Sequence, residues 1–415
     1  EDSKTMKSSK TSRRIPSASR QTQRATVDAT VLASVVVEIG SANVRVGFSG
    51  ESTPRHILSS PFTACFPCPY DEGQHSPSFN IMDERQWLDK LGPFFEDVFI
   101  NKLLIKSTKS RRVIILEQMI TPTAFRVAVA RTLFETLSIA SVLFVPGTSV
   151  SALLVSGKRH GLVIDIGRAE ARSEASLDGH YIPQTYQSVA CGYENAVRVF
   201  QRITSIPELQ NSAANTKAFS DAKSVFESVT YQLGGVPLER ATIDSDKKDK
   251  IFQCLLPSTG KLVNVSHSSV LLAWDNIFDS ENENSLTCLL LTCLKSCPID
   301  LRKTVASNIL VIGGMASIPG LSQRLNSELL LAVSSNSTFR ELRDGVVNES
   351  NLAMCQCPFA RCSASWIGAS ILGTMELSAE RWMHQSTWEK ASKSGGGSSV
   401  SSLSRLVHDW LSLAN

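Results

Sequence analysis

The chain has 415 residues, of which 42% are hydrophobic and 20% are charged, and its formal net charge is +3. This composition is that of an ordinary globular protein and excludes a fibrous or wholly disordered chain, while the length favours two domains over a single core. No apolar run is long enough to span a bilayer and the first residues are polar, so we expect a cytosolic or nuclear protein without a membrane partner.

Residues 1–30 are predicted to form a disordered basic tail. They are rich in Ser, Thr, Lys and Arg and contain few large apolar side chains. A solvated arm is the simpler interpretation, and an acidic partner is the alternative. Since no aromatic residues are interleaved with the basic ones, we expect no direct contact with nucleic acid.

Two copies of one β-hairpin organise the predicted fold. The first strand of one copy, residues 35–40, contains Glu38 and returns through residues 44–48. The second copy begins at residues 161–167, contains Asp165, and returns through residues 174–183. An acid and a glycine at a strand end suit a metal-bound phosphate, so two facing hairpins are predicted to hold one nucleotide.

The remaining elements follow from hydrophobic periodicity and from turn and capping residues. Between the hairpins the sequence predicts, in chain order, an irregular stretch (62–78), a helix interrupted at Gly92-Pro93 (84–104), a strand (112–116), a helix capped by Thr121-Pro122 (121–137), a strand (142–145) and a linking helix (149–156). After the second hairpin it predicts helices at 193–203, 219–229, 268–278, 286–295 and 321–333, a solvated turn at 244–250, a strand at 309–312 ending in Gly313-Gly314, a helix from 365, a flexible linker at 391–402 and a short amphipathic helix at 403–415.

The ten cysteines are interpreted as reduced thiols. Several of them lie inside apolar segments, where free thiols are common: Cys254, Cys288 and Cys293. Two short clusters, at 65–68 and 355–362, are the alternative of a zinc site, but neither has a convincing partner spacing.

The order of these features resembles the actin family over about residues 35–390. The two hairpins, the Gly313-Gly314 turn with the 318–320 run, and the 366–368 run carry the resemblance. It implies an α/β, actin-like (ribonuclease-H-like) duplicated two-domain fold with a central nucleotide cleft. The implied domains are 31–155 together with 363–390, and 156–362.

Shorter segments are similar to the divergent actin-related branch found at the pointed end of the dynactin complex. These segments are residues 111–115, 141–143 with Pro146, 152–154, 297–303 and 311–314. The run at 297–300 is shared with other branches of the family.

The resemblance also implies ATP or ADP with magnesium as cofactor, and it assigns site residues by position. Glu38 and Asp165 fall where the family uses two aspartates around the metal. The implied nucleotide contacts are Gly40, Ser41, Ala42 and Arg45 in the first loop, Gly167 and Arg168 in the second, and Lys223, Gly313 and Gly314 on the adenosine side.

Departures from the family pattern imply slow or absent hydrolysis and no catalytic residue. Arg45 falls where the family has a lysine, so a planar guanidinium replaces an ammonium group there. Arg168 falls where the family has an aspartate. Thr148 falls near the glutamine that orients the attacking water, and it is shorter.

We therefore expect a non-catalytic scaffold subunit that caps the pointed end of a short actin-like filament in dynactin and supports dynein-based transport along microtubules. The expected partners are actin-like filament protomers and other pointed-end subunits of dynactin, in the cytoplasmic cytoskeleton. Residues 62–80 lack the character of the loop that actins insert into the next protomer. Two alternatives stay open: a nuclear actin-related subunit of a chromatin remodeller, and an active ATPase or sugar kinase of the same fold.

Overall fold

Two β-sheets, each containing one of the predicted hairpins, form the framework of the fold. The computed structural model describes residues 33–62, 82–118, 121–146, 153–178, 180–210, 216–241, 249–343 and 345–394. The predicted tail, most of the irregular stretch, of the linker and of the turn at 244–250, Thr148 and the 403–415 helix lie outside these residues.

The strands alternate with helices along the chain, as an α/β fold requires. The strands are β1 (Val35–Ile39), β2 (Asn43–Phe48), β3 (His56–Ser59), β4 (Arg112–Glu117), β5 (Ser141–Pro146), β6 (Gly161–Ile166), β7 (Ala171–Leu177), β8 (His180–Tyr181), β9 (Gln187–Val189), β10 (Ile251–Leu255), β11 (Leu262–Ser266), β12 (Ile309–Ile312) and β13 (Met383–His384). The α-helices are α1 (Glu84–Glu96), α2 (Thr123–Arg131), α3 (Tyr193–Ile203), α4 (Pro207–Gln210), α5 (Thr216–Gln232), α6 (His267–Phe278), α7 (Leu286–Ser296), α8 (Ile299–Ala306), α9 (Leu321–Ser335), α10 (Ala364–Leu372) and α11 (Gln385–Ser394).

The two sheets repeat the same strand arrangement. In the first, with order β13-β5-β4-β1-β2-β3, β1 lies between its antiparallel partner β2 and the parallel strand β4. In the second, with order β12-β6-β7-β8 and β9 paired to β7, β6 lies between antiparallel β7 and parallel β12. Strands β10 and β11 form a separate two-stranded sheet. The repeat confirms the predicted duplicated α/β fold.

Each sheet has its own hydrophobic core. Side chains of β1 alternate between two faces, as strand geometry dictates. Val35 and Val37 belong to the core of the first half, while Val36 packs with Trp366 of α10 on the other face. The Trp366 indole donates a hydrogen bond to the Val36 carbonyl at 3.1 Å. Because residues 162–352 supply the large core under the second sheet, we propose the predicted bounds of 31–155 with 363–390 and 156–362 for the two halves.

Helix α1 continues through Pro93, so the predicted interruption was wrong. Pro93 is exposed, whereas Leu91 and Phe95 on the opposite side are fully buried. Burial of that apolar side outweighs the one backbone hydrogen bond that a proline removes. A π-helical segment, Asp97–Lys102, then extends the helix.

Three other boundaries differ from the predictions. Thr121 does not cap α2, because its hydroxyl donates to the Gln118 carbonyl at 2.7 Å and Pro122 occupies the N-cap. The return strand of the second hairpin begins at Ala171 rather than 174. The predicted linker starts too early, since α11 is helical through Ser394.

Within the described residues, none of the helices combines the length and the apolar character that crossing a membrane would take.

Candidate functional site

In each hairpin, an acidic residue on one strand lies opposite an arginine on the other strand. Glu38 on β1 lies opposite Arg45 on β2, and Asp165 on β6 lies opposite Arg172 on β7. Each of the two predicted metal carboxylates therefore lies beside an arginine. Together with Gln118, which follows β4, these four residues form what we call the hairpin junction.

The turns of the two hairpins are closed by the same backbone hydrogen bond. Gly40 donates to the carbonyl of Asn43 at 3.0 Å, and Gly167 donates to the carbonyl of Glu170 at 2.9 Å. A Cβ atom at Gly40 would lie 2.8 Å from that Asn43 oxygen, so a side chain there would push the turn open. Gly40, which sequence reasoning assigned to a phosphate, thus has a steric reason to be glycine.

The rest of the first turn is partly accessible. Ser41 and Ala42 are half-buried, and the Ala42 carbonyl accepts a hydrogen bond from the Ser60 backbone at 2.9 Å. This bond joins the first loop to the edge strand β3, which ends at Ser59. The loop therefore has a fixed position at the edge of the hairpin junction.

Glu38 and Arg45 form an ion pair that is incompletely satisfied. The Arg45 Nη1 atom lies 3.2 Å from Glu38 Oε1, and the two side chains are 11% and 20% exposed. Within the described residues, Glu38 Oε2 and Arg45 Nε are buried without a hydrogen-bond partner. Folded proteins pair nearly all such atoms, so this acceptor and this donor fit a ligand that binds at the junction.

The electrostatics of Glu38 reflect charges in both hairpins. Burial raises the pKa of Glu38 above its usual value, and the charge of Arg45 opposes that rise. The charge of Asp165 raises this pKa further, and that of Arg172 lowers it. Glu38 in the first half therefore lies within electrostatic reach of both residues in the second half.

Arg172 is a junction residue that sequence reasoning missed. Its Nη1 lies 3.8 Å from Asp165 Oδ2, and its Nη2 lies 2.5 Å from Glu170 Oε1. The signal was present in the sequence, because each hairpin places an arginine seven positions after its acid. A comparison of the two hairpins with each other reveals Arg172, whereas a comparison with family positions alone does not.

The side chain of Arg168 contacts a helix of its own half. Its Nη1 forms an ion pair with Glu194 Oε1 at 2.6 Å, at the start of α3. The Glu194 backbone in turn donates to the Arg168 carbonyl at 2.9 Å, and Tyr193 donates to the Gly167 carbonyl at 3.1 Å. The second loop is therefore fixed on the first turn of α3, and the charge of Arg168 is balanced there.

The Gly313-Gly314 turn brings β12 against Asp165. Gly313 has φ +95°, and a Cβ atom there would lie 2.4 Å from Asp165 Oδ1. A Cβ atom at Gly314 would meet nothing within 4 Å. Only Gly313 is thus required to be glycine by its surroundings, and it joins the predicted adenosine side to the junction.

Lys223 lies on the exposed side of α5. Its Nζ is 5.9 Å from the centre of the Tyr193 ring, a cation–π distance. Since Tyr193 also binds the second loop, Lys223 is connected to that loop through one aromatic side chain.

A nucleotide phosphate fits this arrangement better than a protein-bound metal cluster does. The tight glycine turns and the unpaired Arg45 Nε are features that bind phosphate oxygens. Within the ranges the structure describes, no three His, Cys, Asp or Glu side chains group closely enough to hold a metal ion. The eight cysteines among those residues are free thiols, and Cys65 and Cys68 lie outside them.

The comparisons with known proteins agree with the fold. The sequence profile of the actin family, described as "Actin", matches residues 88–233 and 250–395. The chain is 26% identical over 396 residues to "Actin-related protein 10" of Dictyostelium discoideum, covering 82% of each chain. It is 22% identical over 383 residues to "Centractin" of Saccharomyces cerevisiae, covering 85% of this chain and 93% of that one. The chain belongs to the actin family, and within it to the actin-related proteins.

Proposed function

We propose that the protein is a non-catalytic actin-related scaffold subunit of the dynactin complex, where it caps the pointed end of a short actin-like filament and supports dynein-based transport in the cytoplasm. The family membership and the similarity to actin-related protein 10 and centractin support this role. The resemblance of residues 297–303 and 311–314 to the pointed-end branch supports the position in the filament.

ATP or ADP occupies the hairpin junction in this proposal and acts as a structural wedge between the halves. Arg45 and the turns at Gly40 and Gly167 bind the phosphates, while Lys223 and Gly314 line the adenosine side. The two buried unpaired atoms of the Glu38–Arg45 pair favour a bound ligand of this kind.

One observation carries the proposal of absent catalysis: both carboxylates of the junction are paired with arginine. A carboxylate held by a guanidinium is less available to orient and deprotonate water, and Thr148 is too short to replace the family's glutamine. Nucleotide is therefore bound without efficient turnover.

Affinity purification of the tagged full chain tests the assignment. Dynactin subunits are expected to co-purify in a stoichiometric complex, together with an actin-like filament. Recovery of chromatin-remodelling subunits instead would contradict the proposal and favour the nuclear alternative.

A phosphate-release assay on the purified chain tests the absent catalysis separately. We expect release far slower than that of actin measured beside it. Release at a rate comparable with actin would overturn the non-catalytic assignment and leave the partner assignment untouched.

A further inference from the structure

Arg172 has charged or polar partners from both halves of the molecule. In its own half it lies beside Asp165 and Glu170, and its Nε donates to Glu170 Oε1 at 2.7 Å. From the first half, the Gln118 amide oxygen accepts from Arg172 Nη2 at 2.7 Å and from Nη1 at 3.1 Å, in the amide orientation that its hydrogen bonds require. The side chain of Arg172 is only 16% exposed.

The charge of Arg172 is permanent at this position. Its guanidinium lies beside the carboxylates of Glu170 and Asp165, and an arginine side chain is not deprotonated in proteins.

A divalent cation in a phosphate site serves the same electrostatic purpose. Magnesium neutralises neighbouring carboxylates and phosphate oxygens through tightly held waters, and it needs an octahedral space with carboxylate oxygens that accept those waters. At the hairpin junction, Arg172 already supplies positive charge to Asp165 and within electrostatic reach of Glu38. A second cation beside a fixed guanidinium would be repelled.

We propose that Arg172 takes the place of the divalent cation between Glu38 and Asp165, so that a nucleotide binds at the hairpin junction without magnesium. This inference rests on the proposed nucleotide binding. Because the N–H groups of Arg172 are directed at Glu170, Gln118 and Asp165, it acts through its charge, and phosphate oxygens are bound by Arg45 and the hairpin turns.

The test measures ADP affinity by calorimetry on the full chain after bound nucleotide is removed, in buffer with MgCl₂ and in buffer with EDTA. The expected result for the wild-type chain is the same affinity in both buffers, within about twofold. For Arg172→Met we expect affinity in EDTA to fall by about tenfold or more and to recover when MgCl₂ is added.

The matched control is Arg168→Met, which removes a guanidinium from the turn between β6 and β7 but leaves the carboxylates of the junction unchanged. Its affinity is expected to stay independent of magnesium. Wild-type binding that weakens by about tenfold or more in EDTA overturns the inference, as does an Arg172→Met variant that stays independent of magnesium. Thermal unfolding of each variant separates these effects from misfolding.

Manganese binding tests the inference without nucleotide. Electron paramagnetic resonance of Mn²⁺ titrated into the nucleotide-free chain is expected to show no tight site in the wild type and a new site in Arg172→Met. A tight Mn²⁺ site in the wild type overturns the inference. Failure of ADP to bind in either buffer contradicts the proposed nucleotide binding instead, and the manganese titration then decides the role of Arg172.

Discussion

Gly313 ends β12, and its missing side chain lets that strand approach Asp165 closely. The residue combines a left-handed backbone conformation, φ +95°, with three atoms of Asp165 and Ile166 within 2.7 Å of a hypothetical Cβ. Its neighbour Gly314 has φ −60° and open space around it. Two adjacent glycines of the same motif therefore have different reasons to be present.

Substitution of these glycines separates the two roles. Gly313→Ala is expected to lower the free energy of unfolding by about 3 kcal/mol, because backbone strain and steric overlap both contribute. Gly314→Ala is expected to be neutral or stabilising by up to about 1 kcal/mol, since its helical backbone suits alanine. Urea denaturation of both variants measures the difference, and equal destabilisation would contradict the geometry at Gly313.

Glu117, at the end of β4, gives the protein a predictable pH response. Burial raises the pKa of Glu117 above 4.5, although the charge of Arg126 and its hydrogen bond to the carboxylate, at 2.6 Å, oppose the rise. A raised pKa in the folded state means that the contribution of Glu117 to stability is complete below 4.5 and is lost as the pH rises through the raised value.

The Glu117→Gln variant cannot titrate and isolates this contribution. The difference in unfolding free energy, wild type minus variant, is expected to be larger at about pH 5 than at about pH 8. Denaturant titrations at both values measure it. A difference that does not change with pH would show that the carboxylate has the same pKa in the folded and unfolded chains.

At the scale of elements, helix α11, the last described one, packs against the first half of the molecule. Trp388 on α11 is fully buried, stacks on Phe134 with ring centres 5.5 Å apart, and donates to Glu135 Oε1 at 3.0 Å. The adjacent strand β13 pairs with β5 at the edge of the first sheet. The last described residues of the chain thus complete the core that the first ones begin.

Truncation of Trp388 tests this contribution. Trp388→Ala is expected to cost about 3–5 kcal/mol of unfolding free energy, because it leaves a large cavity against Phe134. Lys390→Ala, at an exposed position of the same helix, is the control and is expected to change stability by less than about 0.5 kcal/mol. If both variants melt alike, α11 does not pack on the first half as described.

Sequence patterns predicted best those elements in which the local sequence preference and the burial in the folded protein favour the same structure. Helix α3 has the predicted bounds, because its apolar residues recur at helical spacing between Gly192 and Thr204. Pro93 misled the prediction of α1, since a local breaker was outweighed by burial of residues far apart in sequence. Among site residues, Glu38 and Asp165 were predicted to share one site, and the charge of Asp165 does act on Glu38; their role there stays a prediction. Arg172 emerged only from the register of β6 and β7.

At the scale of the whole molecule, the proposed cap must bind a filament on one side and end it on the other. Residues 62–80, from which actins extend the loop that reaches the next protomer, lack that loop's character in this sequence. In this proposal, the subunit would bind one neighbour and would lack the segment that binds the next.

Purified protein is therefore expected to stay monomeric under conditions in which actin polymerises. Light scattering and sedimentation at increasing concentration, with actin as the positive control, measure this directly. Pelleting of the chain alone as filaments would contradict the capping role.

The hydrogen bonds between Gln118 and Arg172 have a consequence for how long such a cap stays in place. In a filament whose subunits hydrolyse their nucleotide, the age of the nucleotide acts as a timer for disassembly. The proposed cap, which does not hydrolyse its nucleotide and whose halves are joined by the Gln118–Arg172 hydrogen bonds, would have no such timer. Its release from the filament end would then be decided by the proteins that bind it, and the length of the filament would be conserved through many rounds of transport.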